Sequence, residues 1–530
     1  MSESTPLLST HHESLEEQPS RPPPISGVKF AAVSSTLLFG TFLAASDSTI
    51  VATLLAAISS DLNALQHISW VSTAYMLAYS AFQPIYGKLS DIFGRKYVLI
   101  SCLSLFAAGC WVCSVAYSMN VLIIGRFLNG VGAGGMMAMS VIITSDYVSA
   151  RDRGLYSGLG NIAFGCGASL GGLVGSAASA YRGWRFAFSF QVPLCVIAVI
   201  LVSSLITNFI PPLPPHAHGL SPYKRIDFVG SFTLGSSIFL AILVVSTGGT
   251  ELPWHSLPIY SSVILAVALL LFFMKWEHKY ALEPIIPWKI LRNPTVLRNS
   301  FNLFFSMGCV YSVSFYIPLY LSSVLDFTPS QISYRMLFQF AFGAVGSLLS
   351  GYYVKHTGKY RGPAILANVG LLMSALMCMA LPLYYGSVVD SFWWQSTIYG
   401  LSGISSYSIL TIALVSMMAA IPDQQSIGTS VQYTFRGAGA AILLAAMGGI
   451  FNHSLSSQLQ ANVIGENAQA IIDKVSHSIS AIREIPIEYQ QAVIDSYRGA
   501  SLTVFSATAI MTLMGIYCST TMEHIRLGHK

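Results

Sequence analysis

Gly87-Lys88-Leu89-Ser90-Asp91-Ile92-Phe93-Gly94-Arg95-Lys96 is a charge-rich stretch in a chain that has very little charge to place. The 530 residues include only 27 Lys+Arg and 22 Asp+Glu, 9% in all; a soluble domain carries about 25%. Hydrophobic residues make up 53% and the mean hydropathy is +0.61. A soluble chain of this length would split into several domains, each needing a charged coat that is not available here. Soluble enzyme, nucleic-acid binder and disordered scaffold are therefore poor readings. Apolar runs of ~20 residues flank the stretch, long enough to cross a ~30 Å hydrocarbon core. Backbone groups in lipid must be bonded internally, so these runs are helices. The charged stretch is then a tight connection between two of them.

Working outward, the sequence predicts fourteen spans: 30–52, 68–87, 97–117, 121–144, 157–179, 187–207, 227–247, 257–275, 300–322, 333–354, 363–383, 394–420, 428–451 and 499–521. An even number puts both termini on one side. Alternate loops and the tails collect 19 of the 27 cations, the opposite side holds six, and Arg126 and Arg436 fall inside spans. The positive-inside rule makes the richer side cytosolic.

The domain reading is a polar cytosolic tail 1–28, a six-helix bundle 29–207 and a linker 208–299 with two extra helices. A second six-helix bundle, 300–522, contains a lumenal loop 452–498, and 523–530 is a cytosolic tail. Ile471, Val475, Ile479 and Ile482 recur at helical spacing in that loop, which predicts short interfacial helices. Asn452-His453-Ser454 is a glycosylation sequon on the correct side but against a span. A weak echo supports two repeats: Gly351-x3-Lys355-x2-Gly358-Lys359 after span ten matches Gly87-x3-Asp91-x2-Gly94-Arg95 after span two. Repeats around a midplane site are common in secondary transporters.

All eight cysteines lie in apolar stretches, which argues against a disulfide framework. Cys110-Trp-Val-Cys113 has metal spacing without a second ligand pair, so no metal site and no cofactor is expected. Gly130-x-Gly132-x2-Gly135 matches a dinucleotide fingerprint numerically, but no strand precedes it. Nothing in the sequence reads as an enzyme.

Several motifs together resemble the major facilitator superfamily, and within it the fourteen-span drug:proton antiporter family. The 87–96 loop is similar to the superfamily's cytosolic motif. Its glycines, Gly87 and Gly94, permit a sharp turn, and Asp91 can pair with Arg95 beside Lys96. Trp70-Val71-x2-Ala74-Tyr75-Met76-Leu77-x5-Gln83-Pro84 resembles the family's second helix, and Ser46-Asp47-Ser48-Thr49-Ile50-Val51 its first. Leu122-x3-Arg126-x3-Gly130-x-Gly132-Ala133-Gly134 resembles the fourth, Trp184-Arg185-Phe186 the entry to the sixth, and Tyr433-x2-Arg436-x2-Gly439 the thirteenth. Two departures stand out. Ala168 replaces the Pro of the fifth-helix Gly-Pro-x2-Gly-Gly pattern, and Gln191 replaces the usual Asn before Val192-Pro193.

Charges at membrane depth are costly and mark function. Asp47 sits past the midplane of span one if the helix starts at residue 30. It is either a proton or substrate group or a helix-locking hydrogen-bond partner. The resemblance ties Arg126 to proton coupling; the alternative is a structural counter-ion. Arg436 and Gln432 are four apart on one helix face. Arg436 either meets a substrate carboxylate or snorkels to the membrane edge. Tyr75 is one of several polar span positions that could line a cavity, with Tyr79, Gln83, Asn129, Asn161, Asn302, Tyr316, Gln339 and Tyr407.

Glu3-x3-Leu7-Leu8 fits an acidic dileucine sorting signal for an adaptor. With it, the chain looks most like the fungal vacuolar basic amino acid transporters. That resemblance implies an all-α fold and proton-coupled antiport of amino acids, with Lys, Arg and His leading, from the cytosol into the vacuole. The expected partners are the amino acid, protons and the lipid bilayer, with no nucleic acid. The alternatives are a plasma-membrane multidrug or siderophore exchanger and a non-transporting nutrient sensor.

Overall fold

The computed structural model describes residues 26–62, 68–149, 152–210, 221–248, 252, 256–327, 329–386, 388–421, 425–464, 468–477, 482 and 485–523. Glu3, Leu7 and Leu8 lie outside the described residues. Within them the chain is helical and carries no strand.

The first part comprises α1 (Gly27–Asp61), α2 (Ile68–Phe82), α3 (Ile85–Phe93), α4 (Arg95–Ser114), α5 (Met119–Tyr147), α6 (Arg153–Arg182), α7 (Trp184–Ser189) and α8 (Gln191–Leu205). The intervening part holds α9 (Phe228–Thr247), α10 (Leu257–Lys279) and α11 (Trp288–Leu291). The last part comprises α12 (Pro294–Ser323), α13 (Pro329–Thr357), α14 (Arg361–Leu383), α15 (Phe392–Ala420), α16 (Gln425–Asn462), α17 (Ala468–His477) and α18 (Ile487–Thr521).

Among the described residues, twelve helices are long and apolar enough to cross a membrane. The two other expected spans correspond to α2 and α9. Span 68–87 does not run through as one helix: α2 stops at Phe82 and α3 begins at Ile85. Pro84 lacks an N–H and disfavours helical geometry at the residue before it. α9 is 20 residues long, Phe228–Thr247, the same length as α4.

The segment 452–498 is mostly helix, not loop. α16 runs on to Asn462 and α18 starts at Ile487. The residues there are polar but helix-compatible, and a helix need not stop where the hydrocarbon stops. α17 is amphipathic as its spacing predicts. Its apolar side, however, packs on protein: Ile471, Ile472 and Val475 are buried in the core shared with α16 and α18, and Tyr497 Oη donates to the Val475 carbonyl at 2.8 Å.

Two apolar cores are built from α1–α8, one of them joined by Tyr433 of α16, and a third lies within α12–α18. A fourth joins α9 to α2 and α16 through Leu77, Leu234 and Val431. Association in lipid depends on close packing, and α6 achieves it without the family's proline. At Gly171 an added Cβ would collide with the Ser46 backbone and Thr49 Oγ1 of α1. α6 thereby packs α1 tightly on both sides of Asp47.

Candidate functional site

Three polar assemblies stand out. The first lies inside the α1–α8 bundle. α1 brings Asp47, α5 brings Arg126, α2 brings Tyr75 and the start of α8 brings Gln191. Arg126 Nη1 pairs with Asp47 Oδ2 at 2.6 Å, and the side chains are 1% and 0% exposed. Gln191 Nε2 approaches Asp47 Oδ1 at 3.4 Å, while Gln191 Oε1 is buried without a hydrogen-bond partner. Arg126 Nε donates to the Val71 carbonyl at 3.3 Å, and its guanidinium lies 4.4 Å over the Tyr75 ring. Tyr75 Oη donates to the Ala44 carbonyl at 3.1 Å. The structure thus gives Asp47 an ionic partner rather than Thr49, whose hydroxyl donates to the Ser46 carbonyl. Both charges would be prohibitively costly alone and are tolerable together.

The second assembly is the charged loop between α3 and α4. Arg95 joins Asp91 at 2.6 Å and Asp146, at the end of α5, at 2.8 Å. Its Nη1 also donates to Ser90 Oγ at 2.6 Å. Gly94 has φ 92°, a left-handed conformation that its missing Cβ allows, and the Asn208 side chain fills the space where a Cβ would sit. The Lys96 amide donates to Asn208 Oδ1 at 3.2 Å and its Nζ to the Ser203 carbonyl at 2.6 Å. The Gly87 carbonyl accepts from Ser90 Oγ at 2.8 Å. Beside the loop, Glu283 receives Lys88 at 2.6 Å and Arg225 at 2.7 Å. Burial pushes the Glu283 carboxyl upward, but the bonds from Arg225 and Lys88 outweigh it and hold the group below the usual carboxylate range.

At this same end the two bundles meet. α6 and α13 touch backbone to backbone: a Cβ on Gly154 would stand 2.9 Å from Gly351 Cα. Lys355 Nζ bridges to Asp152 Oδ1 at 2.7 Å, and that hydrogen bond lowers the Asp152 pKa. Further in, Asn161 Nδ2 donates to Ser347 Oγ at 2.7 Å, and Ser347 shares a 2.5 Å bond with Thr411.

The third assembly is a cavity of about 80 Å3 behind this contact. α1, α5 and α6 line it from one bundle, α15 and α16 from the other. Its polar lining includes Ser140, Asn161, Gln432, Tyr433 and two cations, Arg153 and Arg436. Ligand pockets usually hold about 300–1,000 Å3, so this one is contracted. Arg436 lies eleven residues past Gln425, the start of α16, about 16 Å along the helix. Its guanidinium sits 5.8 Å from the Tyr433 ring, and Tyr79, Tyr311 and Tyr407 are the other groups whose fields reach it.

Asp47, Arg126 and Tyr75 do not line the cavity; the charges form two assemblies, not one. Tyr79 stacks on Tyr75 of the first assembly at 6.0 Å. Asp146, Asp152 and Glu283 are participants that sequence reasoning passed over, and they give partners to Arg95, to Lys355 of the repeated loop, and to Lys88 and Arg225. Each sits in a loop or helix end where charge looks unremarkable, and only the fold supplies its partner.

An all-helical chain with this many apolar spans around a polar cavity has the form of a membrane transporter. The chain belongs to the major facilitator superfamily, whose family model matches residues 37–444. It is 33% identical over 494 residues to the multidrug resistance protein fnx1 of Schizosaccharomyces pombe, covering 93% of this chain and 92% of that one. It is 29% identical over 499 residues to the vacuolar membrane amino acid uptake transporter fnx2 of the same yeast (93% and 84% covered). It is 30% identical over 449 residues to the vacuolar basic amino acid transporter 1 of Saccharomyces cerevisiae (80% and 78% covered). Among solved structures, the human organic anion transporter MFSD10 aligns with a TM-score of 0.57 at 14% identity, over 92% of this chain and 99% of that one.

Proposed function

We propose that this chain is a proton-coupled antiporter that moves amino acids, basic ones leading, from the cytosol into the vacuole. The observation that carries the reading is the polar cavity between the bundles, with a sealed Asp47–Arg126 pair inside the first of them. Asp47 is the residue that takes the proton, and Arg126 answers its change of charge. The basic end is read as cytosolic. The Asp91/Arg95 loop and the Asp152–Lys355 bridge then form a closed cytosolic gate that opens as the bundles rock. An acidic vacuole would supply the proton gradient, and the dileucine segment would direct the protein there through an adaptor. The amino acid class rests on fnx2 and the basic amino acid transporter.

The likeness to fnx1 favours a second reading, export of drugs at the cell surface. ATP-driven uptake of labelled Lys, Arg and His into isolated vacuoles, with and without the protein, separates the two. The first reading expects uptake that depends on the protein and collapses with the pH gradient. No difference in uptake, together with cell-surface location and a drug-sensitive deletion strain, would replace it with the second.

A further inference from the structure

Two side chains in the cavity have capacity that the fold does not use. Arg436 is a permanent cation on the cavity wall, and among the described residues it pairs with no acid. Its surroundings are tyrosines drawn from both halves of the molecule: Tyr79 on α2, Tyr311 on α12, Tyr407 on α15 and Tyr433 on its own helix. The Tyr433 face, 5.8 Å away, softens the cost of a desolvated guanidinium but does not neutralise it. One turn earlier, Gln432 is 7% exposed, and its Nε2 is directed at the Leu410 carbonyl at 3.4 Å. Its Oε1 is buried with no hydrogen-bond partner. A buried, unsatisfied acceptor costs free energy unless a donor arrives.

The two vacancies are complementary. The guanidinium calls for a planar anion that accepts two hydrogen bonds, and a carboxylate has that shape. The amide oxygen calls for a donor, and an ammonium supplies three. Residues four apart on a helix stand ~5–6 Å apart at Cβ, so both can reach the ends of one small group. We propose that Arg436 and Gln432 together bind the α-amino acid head group. Arg436 takes the carboxylate and Gln432 Oε1 takes the α-ammonium. The assignment rests on the amino-acid reading above and deepens it. The cavity is contracted, at about 80 Å3, with room for a head group rather than for a whole long-chained substrate. The substrate side chain then needs the bundles to part. Among the described residues the lining is polar and cationic at this point, through Arg153, Arg436 and Gln432, which suits the head group.

The purified full chain, reconstituted in proteoliposomes with an imposed pH gradient, provides the test. Labelled lysine uptake is competed with lysine, with cadaverine (no carboxylate) and with 6-aminohexanoate (no α-amino group). The wild type should admit lysine and reject both analogues by roughly 10–100-fold, the worth of one charge-assisted contact. Gln432→Leu should raise the lysine KM and lose discrimination against 6-aminohexanoate alone. Arg436→Gln should do the same for cadaverine, and Arg436→Lys should recover only part of the loss. Wild-type competition by either analogue as strong as by lysine overturns the assignment, whatever the variants do, and leaves amino acid transport standing. Failure of the wild type to take up any amino acid overturns the amino-acid reading and the assignment with it.

Discussion

Asp47→Asn tests the proposed coupling at its root. A gradient of 2 pH units is worth about 2.7 kcal/mol per proton, from 1.36 kcal/mol per unit. One-for-one exchange therefore sustains an accumulation of roughly 100-fold. Asparagine keeps the shape, and its one oxygen still accepts from Arg126 Nη1, while its amide nitrogen, where Oδ1 stood, no longer accepts from Gln191; it takes no proton at neutral or mildly acidic pH. Accumulation should fall to about one-fold, while exchange of labelled for unlabelled substrate at equal pH continues, since the cavity is not touched. The stability cost is also defined. Asp47 is 0% exposed and Arg126 1%, and removing one partner of such a pair typically costs about 3–5 kcal/mol. The Val71 carbonyl and the Tyr75 face still serve Arg126, which puts the loss near the lower figure. The double variant Asp47→Asn/Arg126→Gln removes both charges and should regain thermal stability without regaining coupling. Proteoliposome uptake under an imposed gradient reads the coupling, and thermal unfolding in detergent reads the stability. Full gradient-driven accumulation by Asp47→Asn would refute the assignment of the proton to Asp47.

Gly154→Leu or Gly351→Leu should hold the bundles apart at the basic end, because a Cβ at either site already meets backbone within 3 Å. Transport should be lost and a cysteine placed at Ser145 should become reactive from that side; unchanged labelling would count against the gate. Glu283→Gln should lower thermal stability by about 1–3 kcal/mol, more than Lys88→Ala, because it leaves Lys88 and Arg225 facing each other. The Glu283 pKa is lowered, so its contribution is in place above the ordinary carboxylate range and fades only as pH falls through the lower folded value. The stability difference between wild type and Glu283→Gln should accordingly be flat from pH 8 to 5 and narrow below about pH 4.5. Lys355→Ala removes a partly exposed bridge worth at most about 1 kcal/mol. It should shift the balance of open and closed forms, seen as faster labelling at the basic end, without changing the melting temperature.

Much of the fold is legible because the bilayer punishes exceptions. Asp47, Arg126 and Arg436 announce themselves as charges within apolar runs, and the period of the helix puts Gln432 on the face of Arg436. The pairing of Asp47 with Arg126 is not legible: 79 residues separate them, and nothing local distinguishes an ionic partner from a hydroxyl one. Hydropathy marks where a span becomes apolar, not where its helix begins, and α16 begins three residues before 428. The same blindness turned the ends of α16 and α18 into loop. The break between α2 and α3 could have been read, since Pro84 stands in plain view, but apolar composition on both sides concealed it.

Glu283 has a consequence for dissecting the protein. It belongs to the stretch between the two bundles, yet it neutralises Lys88 in the loop of the first bundle as well as Arg225 in its own segment. Excising 208–299 to make a minimal twelve-helix transporter would remove α9 and α10 and also strip the counter-charge from the hinge loop. It would also bare the apolar seam where α9 lies against α2 and α16. A shortened version would need a new acid beside Lys88 and a repainted seam before its activity, or lack of it, could be laid to the missing helices.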